Sequence, residues 1–215
     1  KALKDWTARL FDAGYVGADW PAEYGGRDDY SAERGIVVGE ELARAAVPGV
    51  QSGSVLASHA LIHYGTDEQR RRHLPEIRAG RQLWCQLFSE PGAGSDLASL
   101  RTRAVRDGDT YTVTGQKVWT TDGHWADYGY LLARTDSDAP KHKGISIFLV
   151  PTASPGFSCT PIVTVGGVAT TASYYDGVRV PTSALVGSMN EGWRMITTQL
   201  NHERVGLAAL ASLSH

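Results

Sequence analysis

The sequence predicts an α+β fold: an N-terminal helical domain over residues 1–81, a middle antiparallel β-barrel or sandwich domain over 82–188, and the start of a C-terminal helical bundle over 189–215. Three observations carry that reading. Up to about Gly80, apolar residues recur at helical spacing between start and stop signals. From there to about residue 186 the segments are short, rich in β-branched and aromatic residues, and separated by Gly, Asp and Pro. After Asn190 the helical spacing returns and reaches the last residue without a stop signal.

Each element has its own signal. "KALKDWTARLFDAG" ends at Gly14, and "SAERGIVVGEELARAA" starts behind Ser31, whose hydroxyl can cap it, and stops before Pro48. "TDEQRRRHLPEIRAG" opens with Thr66 and Gln69 in capping-box spacing and closes at Gly80. Strands are expected in "QLWCQLFS", "RTRAVRDG", "TYTVTG", "QKVWTT", "DYGYLLART", "GISIFLVP" and "ASYYDGVRVP". "NEGWRMITTQLNHERVGLAALASLSH" supplies the last helix. Segregated layers of this kind place function at their junctions.

Composition narrows the function classes. With 42% apolar residues the chain can bury a sizeable core. A net charge of -2, with signs interspersed and no basic run longer than Arg70-Arg71-Arg72, argues against nucleic acid. That triplet reads as a solvated helix face. No apolar run approaches the roughly 18 residues of a membrane span, and Lys1 opens no signal-peptide pattern, so a cytoplasmic location is expected. Cys85 and Cys159 lack metal-ligand spacing, and Cys85 reads as a buried thiol in an apolar strand. His59 and His63 stand four apart on a helix but lack a third ligand of the right type. They read as helix or pocket-wall residues, and no metal is expected.

The first junction holds "WCQLFSEPGAGSD", residues 84–96. It supplies G-x-G without the third glycine, and strand-turn-strand follows where a dinucleotide-binding fingerprint needs a helix. A Pro-Gly turn between strands explains the same residues.

Taken together, "FSEPGAGSDLASLRTRA", "TGQKVWTT", "LLARTD", "KGISIFLVP", "VRVP", "LVG" and "NEGW", in this order across residues 8–208, resemble the acyl-CoA dehydrogenase family. The resemblance implies bound FAD, α,β-dehydrogenation of an acyl-CoA thioester to the trans-2-enoyl-CoA, an electron-accepting flavoprotein, and a homo- or hetero-tetramer. Measured against that pattern, the family's first helix is missing and the C-terminal bundle stops at its first helix. Residues Gln86, Phe88, Ser89 and Gly94 match the stretch along the flavin, with the Ser89 hydroxyl bonding the ring; Ser95 matches a CoA contact. Asp96 reads as a cap of local backbone amides. Trp119, Thr120 and Thr121 match one wall of the flavin site, with the indole against the ring and the Thr121 hydroxyl toward its reactive nitrogen.

Glu203, immediately before Arg204, matches the position of the base in the isovaleryl and long-chain branches, and Asn201 and Arg204 match substrate contacts. An ordinary Glu-Arg pair on an amphipathic helix explains the same dipeptide. His202 is a rival base, but adjacent helical residues point about 100° apart. Related functions stay open: an acyl-CoA oxidase, a flavin monooxygenase, or a non-catalytic subunit of a mixed oligomer.

Overall fold

The computed structural model describes residues 2–47, 52–167 and 169–213. Helices α1 (Ala2–Asp12), α2 (Ala32–Arg44), α3 (Ser52–Tyr64) and α4 (Asp67–Arg78) form the N-terminal block. The starts of α2 and α4 are written locally. The Ser31 hydroxyl accepts from the Arg34 N–H at 3.2 Å. Thr66 and Gln69 close a reciprocal capping box, Gln69 N–H to Thr66 Oγ1 at 3.2 Å and Thr66 N–H to Gln69 Oε1 at 3.0 Å. The same Gln69 amide donates to the carbonyls of Ser183 and Leu185, each at 2.8 Å, so a helix-capping residue also ties the helical block to the end of the β domain.

Strands β1 (Trp84–Leu87), β2 (Arg103–Asp107), β3 (Thr110–Thr121), β4 (Tyr128–Arg134), β5 (Ile145–Pro151), β6 (Phe157–Val163), β7 (Ala169–Pro181) and β8 (Leu185–Val186) make one sheet. Its order is β6-β7-β3-β2-β4-β5-β8, with β1 on β4. "TYTVTG" and "QKVWTT" are a single strand, β3. Strand β6 was not anticipated. It lies at the sheet edge, where Pro161 lacks a ladder donor without cost, and its half-exposed pattern hides it from a burial-based reading. The ladders are antiparallel except those of β1 and β2 with β4. Helix α5 (Gly192–Leu213) follows the sheet.

Period-two alternation divides the sheet between two cores. Trp84, Phe88, Tyr130, Leu132, Ile145, Ile147 and Leu149 pack with the helices, against Leu61, Leu74 and Ile196. Their neighbours Cys85, Leu87, Leu131, Ala133, Phe148 and Val150 face the other way, onto Tyr111, Val113, Tyr175 and Val178. Strands β4 and β5 therefore read as unbroken apolar runs, because both faces are covered. Trp84 is stacked on Tyr128 at 4.8 Å, with the His73 ring edge-on to both. Burial pushes the Cys85 thiol up to about 12, which keeps it protonated and inert. The alternation also turns Gln86 to the helical side, beside Trp84 and Phe88.

Candidate active site

A cleft of about 380 Å³ opens where three pieces meet: the end of β1 with the turn after it, the turn-out near the end of β3 at Val118 and Trp119, and the first turns of α5. The turn is closed by paired backbone bonds between Glu90 and Ala93, each 3.0 Å. Behind it the Glu90 carboxylate, 8% exposed, accepts from Arg101 N–H at 2.7 Å, Thr102 N–H at 2.9 Å and Lys117 Nζ at 2.8 Å. Lys117 is fully buried and donates a second bond to the Phe88 carbonyl at 3.0 Å.

Burial pushes Lys117 down to about 8, against the opposing pull of Glu90. Burial also works against the Glu90 charge, but the facing ammonium and the amide donors win and hold its carboxyl below the usual range. This pair fastens the segment carrying Phe88 and Ser89 to β3. Neither residue was singled out from sequence. The available signal was a lysine on the buried side of an apolar strand, which requires an ionic partner nearby.

On β3, the register against β7 slips between Lys117 and Thr120. Val118 N–H leaves that ladder and donates to the Ser89 carbonyl at 2.8 Å. Trp119 takes φ 62° and stands 64% exposed at the cleft. A left-handed backbone at a bulky residue costs roughly 1–2 kcal/mol, so the bulge holds this ring outward against local preference.

The same bulge separates Trp119 from its neighbours. Thr120 is turned inward, 2% exposed, with its carbonyl accepting from Thr171 Oγ1 at 3.1 Å. Thr121 continues the ladder opposite Thr170, exposed and away from the cleft lining. This differs from the expectation of one continuous Trp119–Thr121 wall, because a residue with left-handed φ interrupts the alternation. Gly94 also lines the cleft; a Cβ there would meet no protein atom within 4 Å, so the glycine leaves depth rather than relieving a clash.

Helix α5 supplies the opposite wall. Ile196, Gln199, Leu200 and Glu203 share one face by their spacing of three, four and seven. Ile196 and Gln199 are buried, and Leu200 and Glu203 are half-buried. The Glu203 Oε2 is buried without a hydrogen-bond partner. Asn201, off that face and exposed, accepts from Arg204 at 3.0 Å and does not line the cleft. The side chain of His202 lies outside the described residues.

The cleft thus gathers Gln86, Phe88, Ser89, Gly94, Ser95, Trp119, Glu203 and Arg204 of the expected residues, and adds Leu97, Val118, Trp193 and Leu200. Helical spacing from Glu203 would have found Leu200. Asp96 does not cap backbone amides. Its carboxylate accepts from Ser99 Oγ at 2.6 Å and pairs with Lys141, because the short 3-10 turn at Leu97–Ser99 brings that hydroxyl over it.

One turn earlier on α5, Gln199 borders a second cavity of about 550 Å³ between the helical block and α5. His59 and His63, with rings 4.3 Å apart, form part of its wall.

Chemically, the cleft sets a half-buried carboxylate, Glu203, in one lining with an exposed indole, a serine-bearing turn and a glycine with open space before it. The exposed indole offers a flat surface against which a planar conjugated group would fit. FAD suits this donor set.

Comparison with known proteins bears out the family resemblance. Residues 2–81 match the model of the acyl-CoA dehydrogenase N-terminal domain, and residues 85–178 that of the middle domain. Acyl-CoA dehydrogenase FadE26 of Mycobacterium tuberculosis is 46% identical over 214 residues, covering 98% of this chain and 53% of the relative. Among solved structures, the Tcur3481-Tcur3483 steroid ACAD superposes with a TM-score of 0.89 at 50% identity, covering 98% of this chain and 54% of that one. The ChsE4-ChsE5 complex of Mycobacterium tuberculosis gives a TM-score of 0.85 at 44% identity, covering 94% and 52%. The chain spans about half the length of each of these relatives.

Proposed function

The chain belongs to the acyl-CoA dehydrogenase family, and from that premise we propose that it takes part in the α,β-dehydrogenation of an acyl-CoA thioester to its trans-2-enoyl-CoA, with Glu203 as the base. The observation that carries the proposal is a half-buried carboxylate, Glu203, whose Oε2 has no hydrogen-bond partner, on the lining of a cleft that Trp119 and the Ser89–Ser95 turn also line. A carboxylate held by no internal donor keeps the basicity that taking the α-proton needs.

FAD, when bound, supplies the acceptor for the hydride that leaves the β-carbon. Gln86, Phe88, Ser89, Gly94 and Trp119 are the residues we assign to holding it. The Ser89 hydroxyl would donate a hydrogen bond to it, and the Trp119 indole would pack on it and keep water from the reacting atoms. Thr120 and Thr121 lie behind the bulge, off the cleft lining. Ser95 and Arg204 are assigned to the CoA side of the substrate, and Asn201 orients the Arg204 guanidinium through their hydrogen bond.

We further infer an electron-accepting flavoprotein as redox partner and a tetrameric assembly. The likeness to a complex of two named chains supports a hetero-oligomer, and the likeness to a steroid ACAD supports a bulky acyl group. Free Cys85 and Cys159 suit a reducing compartment such as the cytoplasm, and no described helix is long and apolar enough to cross a membrane.

The test is anaerobic titration of the purified protein with a panel of acyl-CoAs while flavin absorbance is followed. Bleaching by at least one is expected. A protein that carries no flavin is instead a non-catalytic subunit. Stoichiometric peroxide on adding substrate in air would reassign it as an oxidase.

A further inference from the structure

We propose that Arg134 is a positioning residue for substrate binding: it holds the loop between β4 and β5 against the segment that follows Ser95, and so sets the rim of the Glu203 cleft. The proposal rests on the reading of that cleft as the thioester site, with Ser95 on the CoA side. Arg134 is the last residue of β4, and its guanidinium reaches two segments at once. Nη2 donates to the Ala98 carbonyl at 2.6 Å, and Nη1 donates to the carbonyls of Lys143 at 2.7 Å and Lys141 at 3.1 Å.

These bonds act on loops rather than on the sheet. The end of β4 is already fixed by the backbone, because the Arg134 N–H donates to the Thr102 carbonyl at 2.7 Å. The side chain takes carbonyls from the 3-10 turn at Leu97–Ser99 and from the β4–β5 loop instead. A planar guanidinium presents donors along two edges in a fixed fork, and a lysine ammonium has no such fork to span both segments.

Both segments border the cleft. Ser95 and Leu97 line it beside the turn, and Trp193 lines it from α5. His142, on the loop that Arg134 holds, sets its ring edge-on to Trp193 with centroids 4.8 Å apart. One run of contacts therefore passes from the turn, through Arg134 and the loop, to α5, and relates two sides of the cleft. Lys141 adds an ion pair with Asp96 between the same segments, but both side chains are exposed, so water and salt weaken it. The three bonds from a part-buried guanidinium are the stronger fastening. Without them Ser95 and Trp193 keep their own elements but lose the loop between them, and a substrate has to order the rim as it binds.

The experiment uses the full-length, FAD-loaded protein and compares octanoyl-CoA with octanoyl-N-acetylcysteamine, the same thioester without the nucleotide. Binding, by calorimetry, and anaerobic flavin bleaching are read separately on the parent, Arg134→Lys, His142→Ala and Asp96→Asn. Arg134→Lys keeps the charge and loses the fork. It should weaken octanoyl-CoA about fivefold, while FAD affinity and binding of the short thioester stay within about twofold. His142→Ala, at an exposed position, cuts the loop from α5 and should act in the same direction. Asp96→Asn should change binding by less than about twofold. Arg134→Lys that binds octanoyl-CoA as the parent does overturns the proposal. So does a variant that weakens FAD or both thioesters alike, since Arg134 would then support the whole fold. If Arg134→Lys does not fold, His142→Ala decides by the same readings. A parent with no preference for octanoyl-CoA over the short thioester also overturns it, because the rim then reads nothing. CoA-selective weakening in a protein that no acyl-CoA bleaches supports the Arg134 role and overturns the dehydrogenase reading, so the two failures are distinguishable.

Discussion

On the sheet side of the cleft, the buried carboxylate of Glu90 accepts three hydrogen bonds and the ammonium of Lys117 makes two. On the α5 side, the Oε2 of Glu203 and both ends of the Gln199 amide have none. Both walls bury polar groups of similar chemistry, yet one spends them internally and the other keeps them unspent. A satisfied buried network fixes geometry, since removing one member strands the others. An unsatisfied buried group lowers stability until a partner reaches it. On the proposed reading the sheet side is the frame, and α5 presents Glu203 as the group that reacts.

That contrast can be broken by mutation. The largest effect is expected at Glu203→Gln: dehydrogenation should fall about 10²- to 10⁴-fold in stopped-flow bleaching, while the thermal midpoint stays level or rises. A variant that loses stability along with rate would put Glu203 in the frame.

Lys117→Met should do the reverse, costing about 3–5 kcal/mol in denaturant unfolding because Glu90 is left charged and buried. The double variant with Glu90→Gln should lose less than the two singles combined. Glu90 also sets a pH dependence. Its proton affinity is lowered on folding, so the stability it contributes is present above the ordinary carboxylate range and drains away as pH falls through its folded value. Acid unfolding of the parent should accordingly be steeper than that of the double variant.

Trp119→Ala is expected to weaken FAD binding by about 2- to 13-fold, the equivalent of roughly 0.5–1.5 kcal/mol of ring contact, with little change in stability. Equal FAD affinity in fluorescence titrations would remove the indole from the site. Thr66→Ala gives the baseline, about 1 kcal/mol of lost stability from a helix cap far from the cleft, with rate and FAD affinity unchanged.

Much of this was legible in the chain itself. Ser31 and Thr66 announced their helices because capping is decided by residues three apart, and the β block announced itself through short β-branched runs between turns. The motif around Phe88 to Ser95 and the dipeptide Glu203-Arg204 led to residues that share one cleft. What escaped was decided by partners distant in sequence. The Glu90–Lys117 pair closes across 27 positions and has no local signature. The bulge that sends Trp119 outward and Thr120 inward depends on how β7 pairs with β3, which no property of "VWTT" reveals. Gln199 looked like any polar residue on an amphipathic helix until its surroundings proved apolar.

The backbone at Trp119 has a consequence for directed evolution. At φ 62° glycine sits without strain and asparagine nearly so, whereas tryptophan does not, and an indole 64% exposed loses few protein contacts when replaced. A library of this chain selected only for heat resistance should drift toward glycine or asparagine at position 119 and shed its affinity for flavin as it does. Selection that alternates heat with flavin fluorescence should retain the tryptophan, so at this position thermal screening and cofactor screening pull the sequence in opposite directions.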